Sequence, residues 1–256
     1  MKIVVKVGTS TLAHAGGRLN IRRIELLCKV LSDLKNAGNE VILVSSGAIG
    51  MGVGKLNLRQ RPKDTAGKQA AAAVGQCELM YTYDKLFSEY NHTVAQILLT
   101  AEDLRNEKRH SNFENTMERL LEMQVLPIIN ENDTVATEEI EIGDNDTLAA
   151  IVAESVEADL LVLLSDIDGL YTADPRKNPD AKLIPQVTEI DDSILALAGG
   201  SSTNLGTGGM TTKLQAAKIC IACGCNMIIT NGSRPEILYD ILAGESVGTL
   251  FVGKRQ

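Results

Sequence analysis

Short apolar runs alternate with segments of helical periodicity along almost the whole chain. The runs are rich in Val, Ile and Leu and are not interrupted by polar residues at every second position, which is typical of parallel strands covered on both faces. They lie at residues 2–7, 41–45, 94–99, 125–129, 160–164 and 227–230. Helical patterns fit residues 21–37, 68–87, 112–123, 146–156 and 212–223. This alternation predicts an α/β fold, a three-layer αβα sandwich around a mainly parallel central sheet.

One domain is expected to span residues 1–256. A chain of 256 residues that is 44% hydrophobic can build one large domain or two small ones. Neither a repeat nor a change of composition marks a second domain, although a soft division near residue 160 separates acidic motifs from a glycine-rich loop. Two polar stretches interrupt the alternation: 136–142 resembles a small hairpin, and 172–186 resembles an excursion that returns to the sheet.

Composition and charge exclude several classes of function. The net charge of −8, with 3% aromatic residues and no Trp, argues against a broad nucleic-acid surface or stacking platform. No apolar run approaches the roughly 20 residues of a membrane helix, and the charged N-terminal strand lacks a signal-peptide core. A cytoplasmic protein is therefore expected. Cys220, Cys223 and Cys225 are close in sequence, but the first two fall on an apolar helix, so small buried thiols are favoured over a metal site.

A glycine-rich loop at residues 206–213 opens the last predicted helix. Uncovered backbone N–H groups and the positive end of a helix together form a cradle for phosphate oxygens. The spacing fits neither a Walker A loop nor a dinucleotide fingerprint, and a flexible loop is the alternative. The candidate phosphate-binding residues are Thr207, Gly208, Gly209, Met210, Thr211, Thr212 and Lys213.

Two further loops of small residues follow the first two predicted strands. Lys6 and Gly8 lie at the end of the first, and a Lys there is costly to bury without an anionic partner. Ser46, Gly47 and Ala48 follow the second, where backbone N–H groups could hold an anionic group. Taken singly, either loop could be only a tight turn. In an open α/β sheet, however, ligands bind where strands end at their carboxyl side.

Polar clusters follow later strands. Residues 130–133 read Asn-Glu-Asn-Asp, and 143–146 read Gly-Asp-Asn-Asp. Helix capping would explain an Asp or Asn at 144 and 145, but not the first cluster. Together they suit a zwitterion, with Asp133 for an ammonium group and Asn145, with the Ser46 loop, for a carboxylate. Ser165 and Asp166 follow another strand and could be solvated turn residues.

These loops hold the components of phosphoryl transfer, in which lysines, backbone N–H groups and Mg²⁺ position and neutralise charge. No nucleophile–base pair is evident, because none of the three histidines lies in a motif. A substrate that brings its own ionised nucleophile, such as a carboxylate, needs no general base. The sequence therefore favours a kinase with a carboxylate acceptor.

The motifs, in this order, resemble the amino-acid kinase superfamily and, within it, the glutamate 5-kinase family. The matching stretches are 5–11 (VKVGTST), 44–50 (VSSGAIG), 129–137 (INENDTVAT), 143–149 (GDNDTLA), 165–176 (SDIDGLYTADPR) and 206–216 (GTGGMTTKLQA). The resemblance implies phosphorylation of the γ-carboxylate of L-glutamate by ATP, giving glutamyl 5-phosphate, in the first step of proline biosynthesis. It further implies a homo-oligomer (dimer or tetramer) and feedback inhibition by proline.

The resemblance also assigns residues. It makes Lys6, Lys213 and Asp146 catalytic, with Mg²⁺ held mainly by the ATP phosphates and Asp146 helping to position it. Glutamate would be bound N-terminal to the soft division by Ser46, Gly47, Ala48, Asp133 and Asn145. ATP would be bound by Lys6, Gly8, Ser165, Asp166 and residues 207–213.

One departure and two alternatives accompany the resemblance. Many members carry a C-terminal PUA domain, and a short form without it is expected here. Acetylglutamate, carbamate and uridylate kinases share the superfamily, but an acetylated substrate would leave Asp133 without an ammonium partner. A regulatory amino-acid-binding protein without turnover is the other alternative, against which the intact Lys6, Lys213 and Asp146 argue. A Rossmann dehydrogenase is excluded by the missing fingerprint.

Overall fold

The computed structural model describes residues 1–14, 18–136, 145–198 and 209–254. Within these ranges, eight strands form one sheet in the order β3-β4-β2-β1-β5-β7-β8-β6. The strands are β1 Lys2–Val7, β2 Glu40–Ser45, β3 Val94–Leu99, β4 Leu126–Glu131, β5 Leu160–Ser165, β6 Gln186–Val187, β7 Asn226–Asn231 and β8 Thr249–Phe251. The helices are α1 Thr9–Leu12, α2 Ile21–Asn36, α3 Ala48–Lys55, α4 Thr65–Ser88, α5 Ala101–Arg105, α6 Glu107–Glu122, α7 Asn145–Ser155, α8 Asp192–Leu197, α9 Met210–Cys223 and α10 Ile237–Leu242.

The sheet is mainly parallel, as predicted. All pairings from β3 to β7 along the sheet are parallel. Strand β8 pairs antiparallel with β7, and β6 pairs parallel with β8. The six predicted strands are all present, with ends that differ by at most two residues. The polar excursion returns to the sheet as β6, after a bridge between Tyr171 and Leu183. The stretch 137–142 of the predicted hairpin lies outside the described residues.

Helices cover both faces of the sheet. On one face, Val4 and Ile129 share a buried cluster with Leu148 of α7 and Leu214 of α9. On the other face, the neighbouring strand residues Val5 and Ile128 pack against α2, α4 and α10. The same buried cluster includes one leucine from each of these helices: Leu27, Leu79 and Leu238. Successive strand residues point to opposite faces, so strands that are apolar at every position require cover on both. The three-layer sandwich is therefore confirmed.

Helix α3 is absent from the sequence prediction, because its glycines indicate a loop. It packs on α4 so closely that backbone meets backbone. A Cβ at Gly75 of α4 would overlap the carbonyl oxygen of Ala48, and one at Gly52 of α3 would overlap that of Ala71. Glycine at these two contacts is what lets the N-terminus of α3 lie beside α4.

The cysteines are free thiols in two environments. Cys220 and Cys225 are buried as expected, whereas Cys223 is exposed. The expectation of a buried thiol at Cys223 is wrong, because this residue lies at the last turn of α9, off the stripe that faces the sheet. In the described part of the chain, no helix is long and apolar enough to cross a membrane.

Gly75→Ala should lower the free energy of unfolding by about 1–3 kcal/mol, because the added methyl group overpacks the contact with Ala48. In an unconstrained helix the same change would raise stability by about 1 kcal/mol, so the sign of the effect is diagnostic. Urea unfolding measures it, with Cys77→Ala, an exposed position on the same helix, as control. Stabilisation by Gly75→Ala would contradict the close packing.

Candidate active site

The candidate site lies where β4, β2, β1 and β5 end at their carboxyl side. These strands are neighbours in the sheet, so the loops that follow them meet at one edge. Strand β1 lies between β2 and β5. The connections from β1 therefore lead to opposite sides, and open α/β sheets form a crevice for ligands at such a point. The first turns of α7 and α9 reach the same edge through Asp146 and Lys213.

Three predicted residues form a buried ion cluster in this crevice. The Nζ atom of Lys6 lies 2.6 Å from Oδ1 of Asp146, and that of Lys213 lies 2.9 Å from Oδ2. The hydroxyl of Thr212 lies 3.4 Å from the same Oδ2. Asp146 is 0% exposed, Lys6 9% and Lys213 6%. The structure therefore joins β1, α7 and α9 through a single carboxylate.

The carboxylate at the centre of this cluster remains ionised. Burial by itself would raise the pKa of Asp146, but Lys6 and Lys213 outweigh it and hold the pKa well below its ordinary value. Two ammonium groups on one carboxylate carry one net positive charge. A buried positive charge attracts an anion. The arrangement is thus suited to phosphate.

The structure also brings together two of the predicted amino-acid ligands. Nδ2 of Asn145 donates to the hydroxyl oxygen of Ser46 at 2.8 Å and to the carbonyl oxygen of Ser45 at 3.1 Å. Asn145 is the first residue of α7, and its side chain links α7 to the end of β2. Its role in the structure is a cross-link between elements.

The loop after β2 presents backbone donors to the same edge. Gly47 has a φ of 108°, which allows the sharp turn into α3, and no side chain caps that helix. The N–H groups of the first turn, which begins at Ala48, are unused within the helix. Such a helix start binds carboxylate or phosphate oxygens.

Asp133 lies in a turn directly after β4, the strand next to β2. The turn is tied to α4, because Nε2 of Gln69 donates to the carbonyl oxygen of Ala136 at 3.3 Å. Asp133 is half-buried and therefore reachable by a ligand.

The predicted nucleotide residues are divided between two elements. Ser165 ends β5 and donates to Asp166 at 3.3 Å, and Asp166 lies 3.5 Å from the guanidinium of Arg176. Gly209 begins α9, and no side chain caps the helix. Met210, Thr211, Thr212 and Lys213 form its first turn, while Thr207 and Gly208 lie outside the described residues.

Gly8 begins α1 beside the ion cluster. A Cβ built at Gly8 would lie 3.7 Å from Nζ of Lys6, so glycine keeps the space next to this ammonium group open. The position is consistent with the predicted approach of phosphate to the backbone.

Sequence reasoning missed Gln76. It lies on α4 in the buried stripe formed with Ala72, Leu79 and Tyr83, and its side chain accepts from Asn130. An amide at a core position of an otherwise apolar stripe is the signal that could have identified it.

Comparison with known proteins gives consistent matches. The model of the amino acid kinase family matches residues 1–231. A glutamate 5-kinase from Clostridium perfringens is 55% identical, with 99% of this chain and 96% of the relative aligned. One from Caldanaerobacter subterraneus is 56% identical, with 98% of this chain and 68% of the relative aligned.

Solved structures agree at the level of the fold. Isopentenyl phosphate kinase from T. acidophilum superimposes with a TM-score of 0.69 at 20% identity, covering 98% of this chain and all of that one. The family model covers most of this chain, and the relative from Clostridium perfringens aligns with it nearly end to end, so this chain belongs to the amino acid kinase family and, within it, to the glutamate 5-kinases.

Proposed function

We propose that the chain transfers the γ-phosphoryl group of ATP to the γ-carboxylate of L-glutamate, giving glutamyl 5-phosphate in the first step of proline biosynthesis. The observation that carries this is the adjacency of the cationic cluster at Asp146 and the polar cross-link at Asn145. Consecutive residues thus serve a phosphate site and an amino-acid site. The names of the relatives that align over almost the whole chain support the same reaction.

The transfer needs little covalent chemistry from the protein. An oxygen of the γ-carboxylate forms a bond to the γ-phosphorus, the bond to the bridging oxygen breaks, and ADP leaves with the electron pair. The acceptor is already ionised at neutral pH, so no base removes a proton. Lys6 and Lys213 would stabilise the charge on the transferred group and on ADP, and such electrostatic stabilisation is usually the largest contribution to catalysis of phosphoryl transfer.

Asp146 acts by holding the two lysines. Its Oδ1 is engaged by Lys6, and its Oδ2 by Lys213 and Thr212. A Mg²⁺ ligand must offer an oxygen with space for the ion and its waters, and two ammonium groups on this carboxylate oppose that. Mg²⁺ would therefore be held by the phosphate oxygens of ATP, whose negative charge it would partly neutralise, and not by Asp146.

The amino-acid and nucleotide sites are proposed to occupy opposite sides of the cluster. Ser46 with the backbone of Gly47 and Ala48 would bind a carboxylate of glutamate, and Asp133 its ammonium group. On the other side, the first turn of α9 with Ser165 and Asp166 would hold ATP. We also propose that the amino-acid and nucleotide parts of the chain divide near residue 160, and that the protein is a cytoplasmic homo-oligomer.

Purified protein with Mg-ATP and L-glutamate should release ADP, and hydroxylamine should convert the acyl phosphate to a hydroxamate. The measurement compares glutamate with acetylglutamate, carbamate and UMP under identical conditions. Turnover of one of these three with none of glutamate would sink the assignment.

Lys213→Ala should lower kcat about 10²-fold or more, because one electrostatic contact to the transferred group is lost. Lys6 stays paired with Asp146, so the variant should fold. Lys218→Ala, an exposed lysine on the same helix, is the matched control and should keep wild-type kcat. A raised KM for ATP with unchanged kcat would show that Lys213 only binds the ground state.

Proline should compete with glutamate, because it carries the same ammonium and α-carboxylate groups and lacks the γ-carboxylate. Asp133→Asn should then raise KM for glutamate and Ki for proline together, roughly tenfold or more for a lost charge-assisted contact, and leave KM for ATP unchanged. Asp84→Asn, exposed on α4, is the control. Proline inhibition that does not depend on glutamate concentration would refute the shared site.

A further inference from the structure

A chain of three side-chain amides, of which those of Gln76 and Asn130 are buried, runs from α4 to the first residue of α7. Nδ2 of Asn145 donates to Oδ1 of Asn130 at 2.9 Å, and Nδ2 of Asn130 donates to Oε1 of Gln76 at 2.9 Å. Asn130 is 2% exposed and Gln76 is 7% exposed. Buried amides are kept only where their hydrogen bonds are made. We name Gln76, Asn130 and Asn145 the amide relay.

Backbone groups fix the direction of the relay. The N–H of Glu131 donates to Oδ1 of Asn130 at 2.9 Å, and the carbonyl oxygen of Ser45 accepts from Nδ2 of Asn145 at 3.1 Å. A backbone N–H can only donate and a backbone carbonyl can only accept. Turning over either asparagine amide would therefore place like groups against each other at two contacts.

This direction decides which atom Asn145 offers to a ligand. The two hydrogens of its Nδ2 are shared among Ser45, Ser46 and Asn130. Among the described residues, none forms a hydrogen bond with its Oδ1. An amide oxygen is only an acceptor, and zwitterionic glutamate carries donors on its ammonium group alone. The sequence prediction that Asn145 serves a carboxylate therefore does not fit this geometry.

We propose that Gln76 and Asn130 are positioning residues that lock Asn145 with its carbonyl oxygen towards the substrate, where it accepts a hydrogen bond from the ammonium group. Asn145 and Asp133 would then share the ammonium, and the Ser46 loop would keep the carboxylate. This inference rests on the proposed function, because it assigns the ammonium group of glutamate to Asn145 and Asp133.

Two variants at one position separate positioning from packing. Gln76→Met keeps the length of the side chain and removes the acceptor for Asn130, whereas Gln76→Glu keeps an acceptor oxygen. Gln76→Met should raise KM for glutamate roughly three- to tenfold, as expected for one neutral hydrogen bond, with KM for ATP unchanged. Gln76→Glu should stay within about threefold of wild type by the same scale. Cys77→Met, the exposed neighbour on α4, is the control.

A double mutant tests whether Gln76 acts through Asn145. Asn145→Ala combined with Gln76→Met should bind glutamate no worse than Asn145→Ala alone, because the contact that Gln76 supports is already gone. Glutamate binding is also followed by the shift it causes in Tm, which needs no turnover. Additive losses, or KM values for ATP and glutamate that rise together in Gln76→Met, would assign Gln76 a general structural role and overturn the proposal.

Glutarate, which has both carboxylates and no ammonium group, tests the atom assignment. As a competitor of glutamate it should give the same Ki with wild type and Gln76→Met. A Ki that rises with the KM of glutamate would place Asn145 on a carboxylate. If the wild-type protein forms no hydroxamate from glutamate, the proposed function fails; if it does and Gln76→Met matches it, only the relay fails.

Discussion

The carboxylate of Asp146 is the interaction on which the site depends. It is fully buried. Removing a carboxylate from water costs several kcal/mol unless oppositely charged partners offset that cost. Lys6 and Lys213 provide that compensation, and they come from β1 and α9, far apart in sequence. Taking both partners away would leave an unpaired buried charge, which typically costs about 3–5 kcal/mol. The same pairing that brings two cations into the candidate site therefore also holds α7 and α9 against the sheet.

The side of the crevice that is proposed to bind the amino acid depends on a different constraint, which is the space between two helices. Helix α3 can begin beside Asn145 only because Gly75 and Gly52 allow two helix backbones to touch. One turn of α4 thus carries both Gly75, which admits α3, and Gln76, which reaches Asn130. Helix α4 supports the loop after β2 by close packing and the first residue of α7 by hydrogen bonding.

The strands could be predicted because burial on both faces requires an unbroken apolar run, such as residues 160–164 of β5. The apolar runs also mark where strands end and helices begin, so Lys6, Asp146 and Lys213 could be located at these ends from the sequence. Helix α3 could not be predicted, because its glycines are required by close contact with a neighbouring helix, whereas their local preference indicates a loop. The orientation of Asn145 was also out of reach, since it is set by backbone groups of β2 and β4, and Gln76 shows only as one polar residue in an apolar stripe.

The first turn of α7 carries Asn145 and Asp146 as consecutive residues whose side chains leave in different directions, one to β2 and β4, the other to β1 and α9. Under the proposed function, one peptide unit thus links the residue that contacts the amino acid to the carboxylate that holds the two lysines. Lys6 and Lys213 lie on β1 and α9, so a displacement of α7 would disturb the amino-acid contact and the ion cluster at the same time.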